Sequence, residues 1–487
     1  MGIVLNQSFK NMVTTYLGFA IGAINVLLLY PNFLTPKYYG LITFLLSAST
    51  LIWPILGLGV HNTLIKFYSS YKTEEDQQKL LSFALIFPLL MGIVLGAFGY
   101  VFYENLLIYF NKNALVQPYV WVIFIIAVSI AYFEVFFAWG KLKLKSVFGN
   151  FMREVFHRIC VMILLLLVCY ELLDVTGFIY SLVLVYALRS LLIMIYAFNL
   201  LPPKFDFRLP SNKKSLYKYS FLIFIAGTVA TALLDLDKVM IEHYLPIENV
   251  SVYGIAVYVA SVIAVPSRAM LQILNPITAT LLNNKEKEKL GMMYKKSSVT
   301  LLAVSGLIFC LIITNINQLY ELMPKEYEIE VSIVILLCLV KLFDNLIGNN
   351  NSILLNSDHY RLILILGIAM VIIAFLLNIW LIPVFSLLGA AIASFVAFFL
   401  YNSTKLILVY QKFKLHPFTR KTLLVLLLIT ILSLIFYFIK IPINPIFSIP
   451  LKSGILSLIY LWVVYRFNFS DDITQTIEKY IKKQTPQ

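Results

Sequence analysis

The sequence predicts an all-α polytopic membrane protein with about fourteen transmembrane helices. Three observations carry that reading. The first is composition. The 487 residues are 61% hydrophobic and 13% charged, with a mean hydropathy of +0.88, where soluble domains carry about 25% charged residues. One aqueous core cannot hide that much apolar surface, so the solvent is lipid. The second is run length: the apolar residues fall into stretches of about 20, enough to span a bilayer. The third is the placement of Lys and Arg. They crowd alternate connections between the runs, the bias that sets membrane orientation.

The runs cover residues 12–34, 40–64, 81–103, 118–140, 151–172, 176–201, 216–241, 249–275, 297–316, 329–355, 360–380, 384–409, 422–439 and 449–467. The opening stretch, MGIVLNQSFKNMVTTYLGFAIGAINVLLLYP, has one early lysine and no small-residue cleavage pattern. It reads as the first membrane helix and not as a removable signal. Pro54, Pro88 and Pro266 fall inside runs as kinks. His61 and Lys66 close the second run and belong to a polar rim.

The polar connections fix the topology. With the N-terminus in the cytoplasm, the connections and span ends on that side hold 28 of the 38 Lys and Arg, the other side holds 6, and four lie within spans. Lys141 to Lys145, the 204–218 loop, Lys285 to Lys296 and Lys412 to Lys421 dominate the inner set. Both termini are therefore expected in the cytoplasm. The net charge of +14 reflects this bias and does not call for nucleic acid. In the tail, Ile473, Ile477, Tyr480 and Ile481 recur at helical spacing behind Ser470 and Asp471, which predicts a surface helix.

The chain echoes itself. NFLTPKYYGLITFLLSAS joins the first two runs and HYLPIENVSVYGIAVYVAS joins the seventh and eighth. Six spans separate the copies, so both have one orientation. That predicts two pseudo-symmetric lobes about an axis along the membrane normal, with a central cavity between them. The expected divisions are 1–215, 216–415 and 416–487.

Several chemistries find no support. There is no P-loop, HExxH or paired CxxC motif. Cys160, Cys169, Cys310 and Cys338 lie in apolar runs without metal-site spacing. No metal, cofactor or catalytic residue is expected. The Asp-Leu-Asp of LLDLDKVMIEHYL resembles a metal motif, but residues two apart on a helix point about 200° from each other. Asp235 and Lys238 share a face and are expected to pair where the seventh helix leaves the membrane.

Ionisable groups inside spans are costly and mark interiors or wet cavities. Arg189 and Lys341 lie near mid-membrane, and Arg158 and Arg268 lie closer to the cytoplasmic ends. Together they predict a cationic cavity suited to a phosphate-bearing head group, which arginine grips with its planar fork of donors. Glu134 is expected to pair with Arg158, and Asp344 can pair with Lys341 three residues earlier. Asp237, Asp344 and Glu134 are the candidates for ion coupling.

Two stretches carry a family resemblance. FLTPKYYGLITFLLSASTLIWPILGLGVHNTLIKFYSSYK resembles the opening of bacterial polysaccharide-biosynthesis membrane proteins. DKVMIEHYLPIENVSVYGIAVYVAS resembles their midpoint, through Met240, Ile241, Leu245, Pro246, Val250 and Tyr253. Ser251 and Gly254 depart from the more usual Gly-x-Tyr order. These proteins include O-antigen and capsule repeat-unit flippases of the multidrug/oligosaccharidyl-lipid/polysaccharide exporter superfamily. The resemblance implies two six-helix lobes plus two C-terminal helices, and alternating access. It implies an undecaprenyl-pyrophosphate-linked oligosaccharide cargo crossing the bacterial inner membrane. It also implies H⁺ or Na⁺ coupling. The protein is expected to act as a monomer among membrane lipids, without nucleic acid. A drug or cation antiporter and a lipid II flippase are the alternatives within the superfamily. A polysaccharide polymerase needs a large outer loop that this chain lacks.

Overall fold

The structure is a computed structural model that describes residues 2–206, 208, 213–328 and 330–483. The described residues are helical throughout, with no strand among them. Eleven helices are long and apolar enough to cross a membrane. One of these, Tyr360–Phe413, contains two of the expected runs. Two further runs form interrupted helices, so every one of the fourteen is accounted for. By contacts the chain divides into two compact units, Met1–Gly254 and Ile255–Gln487.

In the first unit, α1 runs over Gly2–Ile24 and continues through a π turn, Asn25–Leu29, to Tyr30–Phe33. Helix α2, Pro36–Gly57, starts with Pro36 at its first position, where a missing N–H costs nothing. It stops because Leu58 and Gly59 take positive φ (38° and 73°), and a short helix, Val60–Tyr68, follows. Gly59 is needed twice over. Its φ disfavours side chains, and a Cβ there would run into the Ser220 carbonyl. Next to this contact Thr63 Oγ1 lies 2.7 Å from Ser220 Oγ.

Helix α3, Glu74–Val101, begins on a Thr73 cap with Glu74, Glu75 and Asp76 in its first turn. Helix α4, Val120–Leu142, carries the centre of the core, including the buried Phe133 and Trp139. Helix α5 covers 147–169 and is interrupted by a π turn at Met152–Phe156. Helix α6, Val175–Leu200, is capped by Asp174, which accepts from Gly177 N at 2.9 Å. Helix α7, Lys213–Tyr244, packs on α2.

The echo has a structural counterpart here. Gly40 follows Tyr39 and meets the Ile247 carbonyl, and Gly254 follows Tyr253 and meets Thr43. The paired Tyr-Gly steps thus let α2 approach the start of α8, Glu248–Asn283.

The second unit takes up the rest of α8. Helix α9, Lys287–Glu321, is its most buried span. Helix α10 is split into Val331–Leu346 and Asn350–Leu355. At the break Gly348 takes φ +56° against the Ser298 backbone. Asparagine side chains hold the break to its neighbours. Asn345 donates to the Ile263 carbonyl, Asn349 to Thr278 Oγ1 and Asn350 to the Tyr294 hydroxyl, each at 2.7 Å. Tyr360–Phe413 is non-helical at Ser386 (φ 55°), which separates α11 (360–385) from α12 (387–413). Helices α13, Arg420–Phe438, and α14, Pro445–Arg466, follow. The tail forms α15, Asp471–Lys483, as its pattern predicts. The side chains of Ile477, Tyr480 and Ile481, which carry most of that pattern, lie outside the described residues.

Candidate substrate site

The buried charge of the first unit gathers where α4, α5 and α6 meet. Arg189 on α6 is 6% exposed. Its guanidinium lies 4.4 Å from the Phe133 ring centroid and 4.7 Å from that of Tyr186. Its Nε has no hydrogen-bond partner among the described residues. Aromatic faces offset part of the cost of burying a cation. They also leave its donors available, since a ring face takes no conventional hydrogen bond.

Arg153, in the π turn of α5, donates to Glu134 Oε2 on α4 and lies 4.6 Å from the Phe137 ring. Lys141 covers the same ring at 3.9 Å. Arg158 donates to Glu154 Oε2 at 3.3 Å and lies 5.2 Å from Phe19 of α1. Asn25, in the π turn of α1, donates to the Arg158 carbonyl at 2.8 Å. Three arginines and a lysine are thus packed among aromatic rings, with two glutamates to oppose them.

The expected Glu134–Arg158 pair does not form. Glu134 takes Arg153, and Arg158 takes Glu154 on its own helix. Glu154 stands one turn before Arg158 on the same helix and takes it, while Arg153 reaches across to Glu134.

At the end of α7 the expected pair is present: Lys238 donates to the buried Asp235. Asp237 points elsewhere and accepts from the Tyr253 hydroxyl at 3.0 Å. Buried Glu242 accepts from Asn113 Nδ2 at 3.0 Å.

The second unit holds the remaining candidates. Lys341 lies 5.0 Å from the Phe398 ring, and Arg268 is exposed on α8. Asp344 lies 3.9 Å from Lys405 Nζ. Lys405 is fully buried, donates to Asn351 Oδ1 at 2.8 Å and covers the Tyr401 ring at 4.1 Å. Lys452 of α14 is also buried and donates to the Thr314 carbonyl at 2.5 Å.

Sequence reasoning singled out neither Arg153 and Glu154 nor Lys405 and Lys452. Glu154 had a legible signal, an acid four residues before Arg158. Lys405 and Lys452 sit near the ends of apolar runs and read as flanking charges. Only packing reveals that they are enclosed.

No group of three or more His, Cys, Asp or Glu side chains that could hold a metal occurs among the described residues.

Fourteen apolar helical segments with ionised groups held inside them define a multi-pass membrane protein. Its fold is similar to that of the lipid II flippase MurJ in an inward closed conformation, with a TM-score of 0.69 and 16% identity over 95% of this chain and 99% of that one. It is also similar to a multidrug resistance MATE family transporter of the MOP superfamily in an inward-facing conformation (0.60; 14%; 85% and 95%). The outward-facing conformation of a MATE family transporter of that superfamily is a further likeness (0.58; 14%; 84% and 95%). Residues 4–282 match the family model described as polysaccharide biosynthesis protein, and the chain belongs to that family. A comparison with curated protein sequences finds no match.

Proposed function

We propose that the protein is a flippase. It moves an oligosaccharide repeat unit, linked to undecaprenyl pyrophosphate, from the cytoplasmic to the outer leaflet of a bacterial inner membrane by alternating access. The observation that carries this reading is the cationic cluster of α4, α5 and α6. Arg189 is buried there with an unpartnered donor, beside Arg153 and Arg158. A pyrophosphate entering such a site gains charge-assisted hydrogen bonds in surroundings that exclude water. The aromatic rings that hold the cations also offer stacking faces to sugars. The polyprenyl chain remains in lipid between helices and needs no enclosed pocket.

In this account Lys341 and Arg268 of the second unit are further cationic residues that bind the cargo. The lobes run over 1–215 and 216–415, with 416–487 appended, and both termini lie in the cytoplasm. A single copy acts alone. Coupling to H⁺ or Na⁺ runs through Asp237, Asp344 or Glu134.

The pairing of acids argues against a drug or cation antiporter. Glu134, Glu154, Asp235 and Asp344 each face a basic side chain, whereas a cation carrier needs acids that its cargo can reach. The test is removal of the gene followed by analysis of lipid-linked intermediates in each leaflet. The expected result is accumulation of a complete repeat unit on the cytoplasmic side. Undisturbed delivery of that unit to the outer leaflet would refute the proposal, and accumulation of lipid II instead would reassign the cargo.

A further inference from the structure

A second cationic site lies in the second unit, at the end where α9 begins, α13 starts and α14 finishes. It is a cavity of about 560 Å³ with Lys295 and Lys296 of α9 and Arg420 and Lys421 of α13 in its lining. Met292, Val299 and Phe469 supply an apolar floor. Two carboxylates from the start of α15 reach the cations. Lys421 Nζ lies 2.8 Å from Asp471 Oδ1, and Lys296 Nζ lies 2.6 Å from Asp472 Oδ1. Ser470 adds a hydroxyl contact with Thr300, 2.9 Å between oxygens. Lys295 and Arg420 have no acidic partner among the described residues. Four cations against two carboxylates leave a formal excess of two positive charges.

These features select a ligand. The α13 N-terminus at Thr419–Arg420 adds its own partial positive charge to the rim. The cavity sits where the apolar run of α9 gives way to its charged first turns, at the level of a membrane surface. Basic rim and apolar floor together match a group that is anionic at its head and apolar just beneath. A soluble anion has no use for the floor, and an acyl chain has no use for the rim.

We propose that this cavity binds a phosphate group, that of an anionic phospholipid headgroup, with Lys295 and Arg420 as its grips and Asp471 of the tail helix as an internal competitor. The headgroup displaces Asp471 from Lys421 and so frees the start of α15. The site is separate from the cluster around Arg189 and does not depend on the cargo assigned to that cluster.

The test uses the purified full-length protein in vesicles of mixed phosphatidylglycerol and phosphatidylcholine, extracted into detergent. Retained lipid is then counted by native mass spectrometry. The wild type retains phosphatidylglycerol in preference to phosphatidylcholine. The Lys295→Gln/Arg420→Gln double variant retains about tenfold less of it, as expected for the loss of two charge-assisted contacts. A charge-matched control, Lys143→Gln/Lys145→Gln in the first unit, behaves like the wild type. The swap Lys295→Arg/Arg420→Lys keeps the lipid, which separates loss of charge from loss of fold. Asp471→Asn retains more.

Adding millimolar inorganic phosphate distinguishes the sources. No displacement of lipid supports the lipid headgroup. Displacement assigns the site to soluble phosphate and overturns the lipid assignment. Wild-type retention by the Lys295/Arg420 variant, or equal loss in the control, overturns the site.

Discussion

Glu134→Gln tests the packing of the cationic cluster, because Glu134 is the acid that holds Arg153 across α4 and α5. The glutamate side chain is 17% exposed and that of Arg153 35%. The pair therefore lies between an open surface pair, worth below about 1 kcal/mol, and an enclosed one, whose rupture costs about 3–5 kcal/mol. Arg153 keeps its place 4.6 Å from the Phe137 ring after the change, which moderates the loss. A cost of about 2 kcal/mol follows, or roughly 4–8 °C in Tm for a unit of this size. The assay is thermal unfolding of the full-length protein in detergent, run as a double-mutant cycle with Arg153→Gln. The two changes are expected to couple by about 1.5 kcal/mol, in the range of residues in direct contact. Coupling below about 0.5 kcal/mol would show that the pair does not organise this end of the unit, and the reasoning would fail.

Three further outcomes are expected. Lys405→Met should lower Tm only slightly, because the buried amine meets its acid only at 3.9 Å, beyond hydrogen-bond range, and the change forfeits mainly the hydrogen bond to Asn351 Oδ1, worth about 1 kcal/mol. Lys405→Ala should lower Tm by leaving a cavity; equal losses in both would show that the charge itself stabilises the unit. Below about pH 4, near the ordinary aspartate value, the tail helix should loosen. The Lys421 ammonium holds the Asp471 carboxyl below that value, so the pair stabilises the tail above it and is lost as pH falls through the lowered one. Hydrogen-exchange protection at 471–483, taken relative to the intrinsic rate at each pH, checks this, and protection unchanged between about pH 7 and about pH 3 would count against a stabilising role for the pair. Lys285 should react with an impermeant amine reagent only when the cytoplasmic face is open to it. Labelling of intact cells from outside would reverse the topology.

The fold was legible because run length is a membrane protein's strongest signal. Each apolar stretch became a helical segment, including the two that meet at Ser386 with a single non-helical residue between them. The echo was legible too: Gly40 meets the Ile247 carbonyl, and Gly254 lies against the Thr43 side chain. What the sequence hid was partnership between helices. Glu134 and Arg158 looked well matched in depth, but Arg153 meets the acid and Glu154 of the same helix takes Arg158. Lys405 and Lys452 stayed hidden for a related reason. A lysine near a helix end can snorkel to water or be covered by a neighbour, and only packing decides which. Arg189 was the easier case, because its depth alone made exposure to lipid costly.

The most direct test of the proposed function is transport by the Arg189→Gln/Lys341→Gln variant, reconstituted in proteoliposomes with a fluorescent lipid-pyrophosphate oligosaccharide. The account predicts correct insertion and a transport rate at least about tenfold below wild type, the scale of a lost charge-assisted contact. A well-inserted variant that moves the lipid at the wild-type rate would remove these cations from the mechanism and contradict the central claim.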